Sequence, residues 1–117
     1  MEQLEPVVID AQGVYKYIQI EVTKDASTKL LVRGRADRGY HAEILDSFRA
    51  EEIEAKGLEG YECSCPGGGR IINEPEEKKI KVYGYSQSFG QPDHQKAVDL
   101  IKEKYPDFDV TMSNEGY

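Results

Sequence analysis

Val14-Tyr15-Lys16-Tyr17-Ile18-Gln19-Ile20-Glu21-Val22 is a run of β-branched and aromatic residues that reads as a strand. Side chains alternate along a strand, so Val14, Lys16, Ile18, Ile20 and Val22 share one face. Tyr15, Tyr17, Gln19 and Glu21 share the other. The apolar set is expected to be the buried one. Lys16 then points with the core, near one end of the strand. Either the strand starts at Ile18, or the lysine snorkels to solvent, or it stands at the rim of a cleft where it can hold an anion.

Working outward, Asp25 to Thr28 reads as a turn and Leu30 to Arg33 as a second strand, paired with the first as a hairpin. Gly34 to Gly39 is a loop. From Tyr40 the period changes: Ile44, Leu45, Phe48 and Ile53 fall at helical spacing, and Lys56-Gly57 is a stop signal. Tyr61 to Cys65 reads as a short strand, Pro66 to Gly69 as a tight connection, Arg70 to Ile72 as extended chain and Asn73 to Glu77 as a turn. Lys78 to Ser86 alternates as a strand. Asp93 to Tyr105 is a second helix, ended by Pro106, and Val110 to Met112 a last strand. The expected order is ββαβββαβ. It predicts an α/β (α+β) fold: one mixed sheet of about six strands flanked by two helices, in a single domain spanning residues 1–117.

A chain of 117 residues is the usual size of one domain. Its net charge of −7 argues against nucleic acid and anionic membrane as partners, since both demand basic surface. An acidic protein that handles phosphate must gather a few Lys and Arg at one place. No stretch is apolar enough to span a membrane, and the N-terminus lacks the basic and apolar regions of a secretory signal, so the expected location is the cytosol. The two cysteines, Cys63 and Cys65, would share one face of a strand and are expected as reduced thiols. A metal site there lacks a second cysteine pair.

Four segments could carry chemistry. His41 sits at the start of the first helix, where free N–H groups and a partial positive charge favour an anion and disfavour imidazolium. A neutral imidazole can act as nucleophile or general base; the plain alternative is a surface histidine. In Pro66-Gly67-Gly68-Gly69-Arg70 the glycines admit close backbone approach and Arg70 offers a planar fork, unless the run is only a turn. It matches neither a Walker A loop nor a dinucleotide fingerprint. Ser86 and Ser88 lie in a Gly- and Ser-containing loop and could donate to an anion, or be ordinary solvated turn residues. Asp93-His94 reads as helix capping or surface. A cysteine phosphatase loop is excluded, because Cys65 reaches Arg70 after only four residues.

Several segments resemble the 14-kDa phosphohistidine phosphatase family, the protein histidine phosphatases that share ancestry with the Janus and Ocnus proteins. They are Asp10 to Ile20, Val32-Arg33-Gly34, Tyr40-His41-Ala42-Glu43-Ile44, Gly67 to Ile71, Lys79 to Ser86, Lys104-Tyr105-Pro106 and Asn114-Glu115-Gly116-Tyr117. The resemblance runs almost from end to end. It implies a metal-independent hydrolase, without cofactor, that cleaves the N–P bond of phosphohistidine in proteins and releases inorganic phosphate. It implies His41 and Lys16 as catalytic residues. It implies a phosphate pocket from Tyr40, Ala42, Arg33, Arg70, Ser86, Gln87 and Ser88. A monomer is expected. Departures are small: Pro66 before the glycines, Ser88 at a small position, and a short hairpin near Lys24 to Thr28. The rival readings are a non-catalytic phospho-ligand adaptor of the Janus type and a structural interaction module. The second leaves Lys16 as an unexplained cost.

Overall fold

The computed structural model describes residues 3–114. Glu115 to Tyr117, part of the terminal segment on which the family resemblance drew, lie outside the described residues.

Six strands form one sheet in the order β1-β3-β2-β4-β5-β6. They are β1 (Val7–Ile9), β2 (Gly13–Lys24), β3 (Ser27–Arg35), β4 (Glu62–Glu74), β5 (Lys79–Tyr83) and β6 (Asp109–Met112). The two outermost pairs, β1–β3 and β5–β6, are parallel and the inner pairs antiparallel, so the sheet is mixed as expected. Helix α1 (His41–Phe48) widens into a π-helical segment over Arg49–Glu54, and α2 (His94–Lys104) precedes β6.

The class, the six strands and the two flanking helices match the sequence reading, but the element order does not. It is βββαββαβ. Val7-Val8-Ile9 forms an extra strand, set beside β3 with Val7 opposite Val32. The two short strands expected on either side of the glycines are one continuous strand, β4. Pro66 to Gly69 is therefore not a tight connection. The chain stays extended there because β2 pairs with all three glycines, Gly69 opposite Tyr17, Gly68 opposite Ile18 and Gly67 opposite Gln19. The ladder slips by one residue between Gln19 and Glu21. Pro66 falls in that slip, where a bulge tolerates a residue without an N–H.

Both faces of the sheet are covered, so the expectation of one buried face on β2 is corrected. Ile18, Ile20 and Val22 pack with Leu31, Ile44, Leu45 and Phe48 beneath α1. Tyr15 and Tyr17 pack with Ile71, Val82, Val98 and Ile101 beneath α2. The polar-looking parity is buried because tyrosine presents a large apolar body with a hydroxyl that can find a partner. Tyr15 Oη donates to the Asp10 carbonyl at 2.6 Å, and Tyr17 Oη meets His94 Nδ1 at 2.6 Å. Lys16 does lie on the α1 face, at the rim, beyond Ile18. Its neighbour Val14 is already 56% exposed.

The glycines of β4 are required by what lies on the sheet. A Cβ on Gly68 would come within 2.6 Å of the Tyr17 carbonyl and 2.9 Å of His41 Cδ2. A Cβ on Gly69 would collide with the Tyr83 carbonyl and stand 3.0 Å from His94 Cε1. Overpacking of this kind costs about 1–3 kcal/mol or more. Gly69→Ala is therefore expected to lower the unfolding free energy by at least about 2 kcal/mol in urea titrations; unchanged stability would show that β4 and β5 can separate there at no cost.

Candidate functional site

His41 is the first residue of α1, and it is only 5% exposed. Tyr40, in extended conformation, caps the helix. The Glu43 carboxylate accepts from the Gly39 N–H at 3.1 Å and the Tyr40 N–H at 3.0 Å. That leaves the N–H groups of His41 and Ala42, which have no carbonyl one turn earlier in the helix, for an incoming anion.

The His41 ring lies over Gly68, and its Nε2 is 2.9 Å from the Gly69 carbonyl. A carbonyl can only accept, so Nε2 carries the proton and Nδ1 carries the lone pair. Among the described residues Nδ1 has no hydrogen-bond partner. Burial pushes the His41 pKa below its ordinary value of 6.5. The Gly69 carbonyl opposes that shift, while the charges of Lys16 and Arg70 add to it. The ring is thus neutral at neutral pH, with a defined tautomer.

His41, Tyr40, Gly39, Lys16, Gln87 and Ser88 line one cavity of about 180 Å³. Three chain segments meet there: the first part of β2, the start of α1 and the loop after β5. The loop is a tight structure. Ser86 and Gly90 exchange backbone hydrogen bonds at 3.1 and 2.7 Å, and Ser86 Oγ accepts from the Phe89 N–H at 3.1 Å. The Gly90 carbonyl also accepts from the Gly68 N–H at 3.2 Å, tying the loop to the glycine strand. Gln87 and Ser88 form its exposed tip.

The residues singled out from the sequence therefore separate. Lys16, Tyr40, His41, Gln87 and Ser88 come together, with Ala42 beside them in the first helical turn. Ser86 is buried, and its hydroxyl shapes the loop instead of facing the cavity. Arg70 lies opposite Lys16 on β4 and lines the neighbouring cavity, not that of His41. Arg33 is 3% exposed and holds Glu52 through two hydrogen bonds of 2.8 Å, with its guanidinium over the Phe48 ring. It fastens α1's extension to the sheet and is not brought to the cavity.

His94 is neither capping group nor surface residue. Asp93 does cap α2, accepting from the Gln95 N–H, but His94 is fully buried on the opposite face of β4 from His41. Its Nε2 donates to the Gly84 carbonyl at 2.7 Å, and its Nδ1 accepts from Tyr17 Oη. Gln19 Nε2 donates to Tyr17 Oη at 3.3 Å. This buried chain anchors the start of the loop that carries Gln87 and Ser88. Burial lowers the His94 pKa and raises that of Tyr17, so both are neutral. The sequence signals for Glu43 and His94 were weak: Tyr40 is not a Ser or Thr cap, and only the register of β4 reveals which residues sit over its glycines. Cys63 and Cys65 are half-buried free thiols against the α1 core, and burial pushes Cys65 up to about 11.

The Janus/Ocnus family (Ocnus) pattern matches residues 1–109. The chain belongs to the Janus/Ocnus family. The sex-regulated protein janus-A of Drosophila melanogaster is 47% identical over 113 residues, covering 95% of this chain and 80% of the relative. The 14 kDa phosphohistidine phosphatase of Homo sapiens is 41% identical over 118 residues, covering 95% and 91%. That of Sus scrofa is 40% identical over 124 residues, covering 100% and 95%. Relatives named as phosphohistidine phosphatases and relatives named as sex-regulated janus-A proteins thus both match this chain at 40% identity or more. Among the described residues no helix is long and apolar enough to cross a membrane.

The roles of Arg33 and Lys16 separate experimentally. Arg33→Met is expected to lower stability by about 1.5–3 kcal/mol, the worth of hydrogen bonds between charged groups, and to leave the affinity for inorganic phosphate unchanged. Loss of phosphate affinity at full stability would contradict a purely structural Arg33.

Proposed function

We propose that this member of the Janus/Ocnus family hydrolyses the N–P bond of phosphohistidine in proteins, with His41 as its central catalytic group. What carries the reading is one arrangement. A buried, neutral imidazole, its Nε2 on the Gly69 carbonyl and its Nδ1 without a hydrogen-bond partner among the described residues, lines a cavity that also holds a lysine and the first turn of a helix. The 14 kDa phosphohistidine phosphatases among the relatives support the same substrate class.

Phosphoryl transfer asks mainly for positioning and charge stabilisation. Lys16 Nζ and the N–H groups of His41 and Ala42 supply fixed positive charge for the three phosphoryl oxygens, and the loop tip at Gln87 and Ser88 closes the far side. His41 Nδ1 either attacks phosphorus directly, displacing the substrate imidazole and giving a phospho-His41 that water then hydrolyses to inorganic phosphate, or takes the proton of a water that attacks phosphorus. In both routes the Gly69 carbonyl steadies the imidazolium-like charge that develops on the ring. The substrate imidazole leaves as a neutral ring once protonated. Lys16→Ala should weaken binding of inorganic phosphate about tenfold or more, one charge-assisted hydrogen bond being worth roughly 1.5–3 kcal/mol; unchanged affinity would remove Lys16 from the site. The cytosol, where the half-buried thiols of Cys63 and Cys65 stay reduced, is the proposed setting, with the chain acting as a monomer.

The activity test is phosphate release from a histidine-phosphorylated protein in the presence of a chelator. The native chain should release phosphate and His41→Ala should not. Phosphate binding without release by the native chain would favour a phospho-ligand adaptor of the Janus type.

The pH dependence has a defined sign. His41 works as the neutral ring, and its pKa is held below 6.5, so kcat/KM should be on its plateau at pH 7 and fall only in acid. A profile still rising between pH 7 and 8 would contradict this. Stability moves in the same direction. His41 and His94 both have folded pKa values below 6.5, so their contribution is complete above that pH and is lost as pH falls through the folded values. The acid limb must therefore be read where circular dichroism shows the fold intact.

A further inference from the structure

Next to the His41 cavity lies a second one, of about 200 Å³, whose charged lining is wholly basic: Lys16, Arg35, Arg38 and Arg70. Register puts three of them abreast. Lys16 on β2 stands opposite Arg35 on β3 and opposite Arg70 on β4. Neighbouring strands are about 4.8 Å apart, and like charges placed side by side on one sheet face repel. A chain with net charge −7 has gathered four cations around one small space.

Acidic neighbours are present but sit behind the cations. Asp37 pairs with Arg35 at 2.8 Å and with Arg38 at 3.3 Å, and Glu51 pairs with Arg35 at 3.1 Å. Both carboxylates are more than half exposed. The Asp10 carboxylate accepts from the Ala36 N–H at 2.7 Å, which fixes the loop. None of the three lines the cavity. They orient the guanidinium groups from outside: Arg38 is held further by Ser47 Oγ at 2.8 Å. Among the described residues Lys16 has no ion-pair partner.

Lys16 lines both cavities. A ligand whose phosphoryl group lies by His41 therefore has its adjacent part beside Arg35, Arg38 and Arg70. We propose that this second cavity is a specificity subsite for an acidic side chain, Asp or Glu, within one or two residues of the phosphohistidine in the substrate protein. The inference rests on the phosphatase reading above. An extended peptide advances about 3.3–3.6 Å per residue, so a carboxylate one or two residues away reaches the adjacent strand position. Arg is suited to carboxylates because its fork can donate to both oxygens.

The test compares histidine-phosphorylated peptides of equal length with Glu, Ala or Lys placed within two residues of the phosphohistidine. Wild-type protein should cleave the Glu peptide with a kcat/KM about threefold to tenfold above the Lys peptide at low salt. The difference should lie in KM, and rising ionic strength should shrink it. In Arg35→Ala/Arg38→Ala the ratio should fall to near one, and Arg38→Glu should reverse it. Phosphoramidate, which carries no flanking residue, reports on the His41 site separately. Equal cleavage of all three peptides by wild type overturns the subsite and leaves the phosphatase reading standing. A preference that survives in both variants overturns the assignment to Arg35 and Arg38. No cleavage of any peptide or of phosphoramidate sinks the phosphatase reading, and the subsite with it.

Discussion

Two histidine rings lie on opposite faces of one strand, and both can do so only because β4 carries no side chains at Gly68 and Gly69. Gly68 makes room for His41 on the α1 side, and Gly69 makes room for His94 on the α2 side. Each ring begins a helix, so the glycine strand fixes where both helices start. It also supplies the Gly69 carbonyl that sets the His41 tautomer, and its Gly68 N–H holds the loop that closes the cavity. Add a methyl group at either glycine and the helix start, the tautomer and the loop are disturbed together. Tight packing transmits strain in this way because interiors have little free volume.

The site is built from backbone as much as from side chains. The cavity needs a helix N-terminus, a carbonyl and a tight loop, and it gains only one lysine of its own. Buried supports work at one remove. His94 and Tyr17 hold the Gly84 carbonyl at the root of the Ser86–Gly90 loop, and Arg33 with Glu52 holds the end of the first helix. A buried ion pair of this kind contributes little net stability, but removing one partner is costly. These groups hold the elements around the His41 cavity without lining it themselves.

Much of this was legible in the sequence because it rests on local pattern. The strand parity at Val14 to Val22 put Lys16 with the apolar set near one end of the strand, and the period change at Tyr40 put His41 at or just before a helix start. What was not legible depends on register. Pro66 and three glycines look like a turn, since nothing in those residues alone tells that β2 pairs with the three glycines. The bulge that shelters Pro66 is a property of two strands, not of one. The family resemblance implied Arg33 as part of the phosphate pocket, and the sequence alone does not reveal the Glu52 carboxylate nineteen residues on that holds it. His94 looked exposed for the same reason: its partners, Tyr17 and the Gly84 carbonyl, are distant or backbone groups. Val7 to Ile9 was too short a run to announce a strand by itself, and its pairing with β3 supplies the missing support.

The measurement that bears most directly on the account is nitrogen-15 NMR of the His41 ring through a pH titration, with and without inorganic phosphate. The account predicts a neutral ring at pH 7 with the proton on Nε2, a pKa below 6.5, and a change at Nδ1 when phosphate binds. A ring that is protonated at pH 7, or that carries its proton on Nδ1, would mean that the Gly69 carbonyl does not set its state, and the central claim would fail.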